Sequence, residues 1–296
     1  MYFSVANVDV APWVPPLVAF GISLLTSTAG ISGAFLLLPF QMSVLGFTSP
    51  AVSATNQLYN VVAIPGGVWR FAREGRLVWP LVGVTLAGIT PGVILGVVLR
   101  VRFLPDPHRF KLLVALVLGY LGWRLLAGLL GGRGGEAEQR VCQAGSMSLS
   151  WRRLTIEYGE RRLQVAVPGL VLFCLLVGVV SGAYGIGGGS LIAPFLVTVL
   201  ALPVHLVAGA ALASTMISSL VGVVGYQLLA PLFPALAVAP DWALGGLFGL
   251  GGLAGIYCGA RLQRFIPARL IKWLLALIVA TTAARYLYSS LSFLLT

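Results

Sequence analysis

The sequence is short of charge. Asp, Glu, Lys and Arg make up only 9% of its 296 residues, against about 25% in a soluble domain. So few charges cannot cover a globular surface of this size. With 58% hydrophobic residues and a mean hydropathy of +0.98, the chain reads as an integral membrane protein. Acids are scarcest. The eight are Asp9, Glu74, Asp106, Glu136, Glu138, Glu157, Glu160 and Asp241, and none falls inside an apolar segment. Sodium sites and most proton relays need intramembrane carboxylates, so a cation pathway is disfavoured. The three cysteines, Cys142, Cys174 and Cys258, form neither a disulfide framework nor a zinc spacing. No metal motif, P-loop or nucleophile elbow is present. The expectation is therefore no metal, no cofactor and no enzymatic activity. Little sequence lies outside apolar segments, which also excludes a large catalytic domain.

Apolar runs lie near 13–29, 33–47, 52–72, 77–99 and 110–131, and again near 168–184, 188–202, 206–228, 242–262 and 270–288. A spanning helix needs about 20 apolar residues. The first two runs of each set are shorter than that, and the other three suffice. Between the sets, residues 132–167 are polar. The stretch from Leu154 to Val165 alternates around Gly159, which predicts a small hairpin.

The two sets are one unit written twice. Gly30-Ile-Ser-Gly-Ala-Phe-Leu-Leu-Leu-Pro-Phe40 aligns with Gly185-Ile-Gly-Gly-Gly-Ser-Leu-Ile-Ala-Pro-Phe195. Gly88, Gly92 and Gly96 match Gly251, Gly255 and Gly259, and Lys111…Arg124 matches Lys272…Arg285. The expected architecture is all-α and polytopic: a first membrane repeat (1–131), a polar connector (132–167) and a second repeat (168–296). Each repeat is expected to hold a pair of short broken or re-entrant helices and three full spans. The glycine rows allow close helix approach, either between the halves or in a homodimer.

The net charge of +11 would suggest nucleic acid in a soluble chain. Here it fits loop orientation and contact with the lipid bilayer, and no nucleic-acid partner is expected. Placing loops 70–76, 132–167 and 261–272 inside the cell puts 13 Lys/Arg there, against four in loop 100–111 outside. That choice requires each short pair to enter and return on one side, which inverts the repeats. A short pair that crossed once would make them parallel. Trp13, Trp79, Trp123, Trp242 and Trp273 lie near segment ends, as an interfacial belt requires.

Inverted repeats with short, Gly-interrupted segments at matching positions point to a secondary transporter with its site at the repeat interface. A broken helix exposes N–H groups at its new N-terminus, where the helix dipole favours an anion. Gly187, Gly188, Gly189 and Ser190 are the candidates in the second half, and Ser32 and Gly33 in the first. The following segment carries Asn56, Gln57 and Asn60 in the first half and Ser214, Thr215 and Ser218 in the second. Polar groups at membrane depth face a bundle interior or a cavity, or bond within and between helices. His205, between segments, and the equivalent Arg124 and Arg285 are candidates for coupling or gating.

The sequence resembles the TauE/SafE sulfite exporter family of membrane transporters. The resemblance rests on the Gly185–Phe195 element, Ala208-Gly209-Ala-Ala-Leu212, the polar Ser214–Ser219 stretch and Asp241-Trp242. It covers nearly the whole chain, although Ser32, Ala34 and Phe35 depart from the pattern in the first half. The resemblance implies an ion-coupled transporter of small sulfur-containing anions, such as sulfite or sulfoacetate, in the cell (inner) membrane. The alternatives are a passive anion channel and a membrane scaffold without cargo.

Overall fold

A computed structural model describes residues 1–28, 32–75, 77–130, 147–149, 153–158, 161–198, 204–262 and 268–295. The helices of the first half are α1 (Val14–Thr28), α2 (Ala34–Ser43), α3 (Ala51–Ala63), α4 (Pro65–Arg73), α5 (Trp79–Arg102) and α6 (Pro107–Leu130). Those of the second are α7 (Val167–Tyr184), α8 (Gly188–Thr198), α9 (Val204–Leu229), α10 (Trp242–Leu262) and α11 (Ala268–Leu295). Among the described residues, five helices are long and apolar enough to cross a membrane: α5, α7, α9 with the short turn after it, and the parts Pro107–Ala127 of α6 and Trp242–Gly259 of α10. Their outer faces expose Leu95, Leu116, Leu172, Leu176 and Leu250, which suits lipid rather than water. Trp13, Trp79, Trp123 and Trp242 are exposed as well. A groove of about 450 Å³ between α5 and α9 is lined by apolar side chains such as Ile94, Val98, Leu220 and Val224.

Two segments differ from expectation. The run at 52–72 is not one span but two helices, α3 and α4, which meet at Ile64 and Pro65. Proline has no N–H to continue the ladder. With Pro65 starting α4, Asn60 O bonds the Ile64 amide and α3 closes there. At 13 residues α3 is too short to span alone. Conversely, α7 is not a short helix. It runs unbroken for 18 residues to Gly185, so α8, with 11, is the short member of its pair.

The polar connector contributes β3 (Met147–Leu149), β4 (Arg153–Tyr158) and β5 (Arg161–Ala166), paired antiparallel in that order. Tyr158 pairs with Arg161 at the end of the ladder, and the expected turn at Gly159 lies outside the described residues. A second, unexpected hairpin joins β1 (Tyr2–Phe3) to β2 (Val8–Asp9). Its turn donates the Ala6 N–H to Asp241 Oδ2 at 3.3 Å. The other carboxylate oxygen caps α10 through the Leu244 N–H at 3.0 Å.

Helices pair across the halves. α5 packs on α7 and α1 on α10; α3 packs on α10 and α5 on α9; α3 meets α9, and α6 meets α11. The glycine rows explain the closest of these. A Cβ on Gly88, Gly92 or Gly96 would collide with the carbonyl of Val171, Leu175 or Val179 in α7. One on Gly251, Gly255 or Gly259 would meet Pro16, Phe20 or Leu24 of α1. These faces are filled within the chain. Of the two uses expected of these rows, the described contacts show packing between the halves.

The contacts also give helix directions. Rising numbers on α5 meet rising numbers on α7, and likewise for α10 on α1, so each pair is parallel. Leu58 and Val62 of α3 meet Gly245 and Gly249 of α10, again parallel. α5 and α9 are parallel through Thr85–Ser214 and Val97–Gly225. α3 and α9 are antiparallel, since Asn60 meets Ser219 while Gln57 meets Gly222. α6 and α11 are antiparallel through Gly122–Val279 and His108–Ser290. Because α1 and α3 run the same way, as do α7 and α9, the short α2 and α8 bring the chain back between them.

Candidate functional site

The break between α7 and α8 is made by two glycines. Gly185 has φ +90° and caps α7 through its N–H to Ser181 O, and Gly187 has φ +78°. Side chains rarely adopt this left-handed region. Space forbids them too. A Cβ at Gly187 would strike Thr215 Cγ2 and come within 3.0 Å of Ser219 Oγ and 3.3 Å of Asn60 Nδ2. Gly189 lies against the Ala211 carbonyl of α9. The α8 N-terminus is thus pressed onto α9 by the absence of side chains. The Gly188 N–H donates to Ser218 Oγ at 3.1 Å. The Gly189 and Ser190 amides follow in the first turn, where a helix supplies no acceptor of its own.

The first-half counterpart is α2. Ser32 Oγ accepts the Ala34 N–H at 3.3 Å and donates to Asn60 Oδ1 at 3.1 Å. Gly33 leaves room for Tyr59 and Ser23, whose hydroxyls bond each other at 2.7 Å. Gly30, the repeat equivalent of Gly185, lies outside the described residues.

The amides of α3 join the start of α2 to the α7–α8 break. Asn56 Nδ2 donates to Ala34 O at 2.9 Å, at the start of α2, and to Gly185 O at 3.0 Å, at the end of α7. Asn60 takes the Ser32 hydroxyl on one side and donates to Ser219 Oγ of α9 at 3.2 Å on the other. Gln57 Nε2 donates to Gly182 O at 3.3 Å, and its Oε1 is buried without a partner. All three amides are at most 1% exposed. A buried amide held by both halves contributes most while both stay in place, because losing one partner leaves a desolvated group unpaired.

The hydroxyl residues of α9 divide. Ser218 caps Gly188 and belongs to the break. Ser214 turns to α5 and bonds Thr85 Oγ1 at 2.8 Å. Thr215 spends its hydroxyl on Ala211 O of its own helix at 2.8 Å, and only its methyl faces Gly187. Arg124 and Arg285 are not brought to this centre. They ride on the α6–α11 pair, Arg124 half-buried and bonded to the Tyr120 hydroxyl at 3.3 Å, Arg285 exposed. His205 is not in a loop but is the second residue of α9, and its side chain lies outside the described residues.

Sequence reasoning missed Gln41, Thr85, Tyr226 and Arg100. Gln41 Nε2 donates to Asn56 Oδ1 at 3.3 Å, completing that amide. As the one amide in the apolar 33–47 run, it could have been singled out. Arg100, assigned to a loop by sequence, is the last residue but two of α5 and is fully buried. Among the described residues, no three or more His, Cys, Asp or Glu side chains group to hold a metal.

A "Probable membrane transporter protein" of Xylella fastidiosa (strain 9a5c) is 29% identical over 287 residues, 93% of this chain and 92% of its own. One of the same name from strain Temecula1 / ATCC 700964 is 26% identical over 286 residues, with the same shares covered. No solved structure matches the chain. The defining pattern of the sulfite exporter TauE/SafE family matches residues 16–286. A multi-pass helical chain, with glycine-broken helices meeting at its centre and that pattern along nearly its whole length, belongs to the TauE/SafE family of membrane transporters, a family of transporters and not of enzymes.

Proposed function

We propose that the protein is a secondary transporter of small sulfur-containing anions, sulfite or an organosulfonate such as sulfoacetate, working by alternating access in the inner membrane. The observation that carries this reading is the amide bridge of α3. Asn56 and Asn60 hold the start of α2, the α7–α8 break and α9 at one buried point, built without any carboxylate. Helix N-terminal amides with neutral donors suit an oxyanion. The anion would lie by the Gly189 and Ser190 amides, with Asn60 and Gln57 able to turn their donors to it.

The two halves are read as inverted repeats. The equivalent helices α3 and α9 run antiparallel, as do α6 and α11. The parallel pairs α1–α10 and α5–α7, with α3–α10 and α5–α9, oppose α1 to α7 and α5 to α10 as well. This supports a pseudo-twofold axis in the membrane plane, the arrangement in which one repeat can rock against the other. The basic stretches 70–76, 132–167 and 261–272 then share the inner face. The N-terminal hairpin and loops 44–50, 103–106 and 233–241 share the outer one. Without an intramembrane acid, coupling would use a proton carried on the substrate itself, as in bisulfite, or His205.

Thermal stabilisation of the purified chain by sulfoacetate, sulfite, taurine, sulfate and chloride tests this directly. Selective stabilisation by sulfite or a sulfonate is expected, and Asn60→Ala should weaken it. Equal effects of all five anions, or none, would remove the proposal. Transport into liposomes without counterflow would favour a passive channel instead.

A further inference from the structure

We propose that Arg100 forms, with Ser49 and Tyr226, a second station for the same oxyanion at the outer mouth of the pathway. This rests on the anion-transport reading above. Arg100 continues the row Gly88, Gly92, Gly96 by one helical turn, on the face that packs α7. The Gly96 position already lies against Ala183, and α7 ends at Tyr184. Beyond that end a guanidinium fits where a neighbouring backbone would otherwise exclude it.

The side chain is 0% exposed, yet no carboxylate meets it. Among the described residues the ion pairs are Met1–Asp9 and Arg70–Glu74. Arg100 instead donates through Nη2 to Thr48 O at 3.2 Å and through Nη1 to Leu104 O, and it stacks on Phe110 at 3.7 Å. Its Nε has no partner. Two carbonyls can be tied by a neutral amide. A buried charge costs far more unless something compensates it, and a planar guanidinium fork matches an oxyanion.

A polar file leads inward from this point. Ser49 Oγ, one residue past Thr48, is buried and unpartnered. Tyr226 follows Gly225, which lies against Val97 of α5 in the turn before Arg100, and its hydroxyl donates to Gly182 O at 2.9 Å. The same carbonyl accepts from Gln57, whose Oε1 is unpartnered, as is Ser181 Oγ one residue before Gly182. Ser49, Ser53 and Gln57 recur every fourth residue, so they share one side of α3 and its approach. The file ends at the Gly185 break.

The test combines binding and sided transport, using the full chain. Sulfoacetate and sulfate are titrated against wild type, Arg100→Gln, Arg100→Lys, Tyr226→Phe and Asn60→Ala by thermal shift. Sulfoacetate flux is then followed in proteoliposomes of known orientation. Arg100→Gln should raise KM about tenfold or more from the face that carries loop 44–50, and leave the other face and the maximal rate within about threefold. Arg100→Lys should recover most of that loss. Equal increases from both faces, or a fall in maximal rate alone, would show a structural role and overturn the proposal. If Arg100→Gln does not fold, Tyr226→Phe decides: a rise of about threefold on that face supports the station, and an unchanged KM overturns it. Loss of binding in Asn60→Ala with Arg100→Gln like wild type removes the outer station and leaves the central site. The converse removes the central site alone. A wild type that neither anion stabilises removes both.

Discussion

Replacing Gly187 by alanine tests the central break most directly. Two costs add. The residue sits at φ +78°, where an L side chain costs about 1–2 kcal/mol. Its new methyl would also overlap Thr215 Cγ2 and crowd Ser219 Oγ and Asn60 Nδ2, and overpacking costs about 1–3 kcal/mol. The sum is about 2–5 kcal/mol. At roughly 2 °C per kcal/mol in a chain of this size, the midpoint should fall by on the order of 4–10 °C. Gly246→Ala is the control. Gly246 lies within α10 with nothing near its virtual Cβ, so alanine there should be neutral or stabilise by up to about 1 kcal/mol. Both variants are heated in the same detergent and followed by tryptophan fluorescence. The crowding should also push α8 off α9, so Gly187→Ala should lose anion stabilisation at temperatures where it is still folded. A Gly187→Ala midpoint equal to that of Gly246→Ala would refute the argument from backbone and space together.

Two further outcomes follow from the packing. Gly92→Ile should prevent stable folding, because its side chain would enter the Leu175 carbonyl and the Gly178 backbone. Gly83→Ile on the same helix, with open space around it, should fold, and yield of monodisperse protein from detergent measures the difference. Arg124→Gln and Arg285→Gln should leave KM for the transported anion within about twofold, since neither side chain belongs to the α2, α3, α7, α8 and α9 centre. A larger shift in KM would return these arginines to the pathway.

Much of the candidate site was legible as residue types in a pattern. A glycine cluster repeated at one place in both halves announces helix breaks, and amides in an apolar run announce groups that need partners. What those partners are was not legible. Thr215 was a candidate by residue type, like Asn60, but a threonine hydroxyl in a helix can satisfy itself on the carbonyl four residues back, and this one does. An asparagine amide reaches farther, and Asn56 and Asn60 find acceptors on other elements. The break at Pro65 was visible as a proline but hidden by the apolar residues around it. Arg100 was misplaced because a segment end next to Arg102 reads as a loop. Its depth depends on where α7 stops.

The sequence by itself determined the membrane, the glycine break between α7 and α8 and the absence of acid from the apolar runs. These are properties of composition and spacing, which survive whatever the chain's path. The tertiary structure decided direction and neighbour. It set which helices run parallel and which antiparallel, packed the glycine rows of one half on the helices of the other, and buried Arg100. The physical reason is that a helix fixes only which residues share its own face. Which backbone fills that face is settled by packing between segments far apart in the chain.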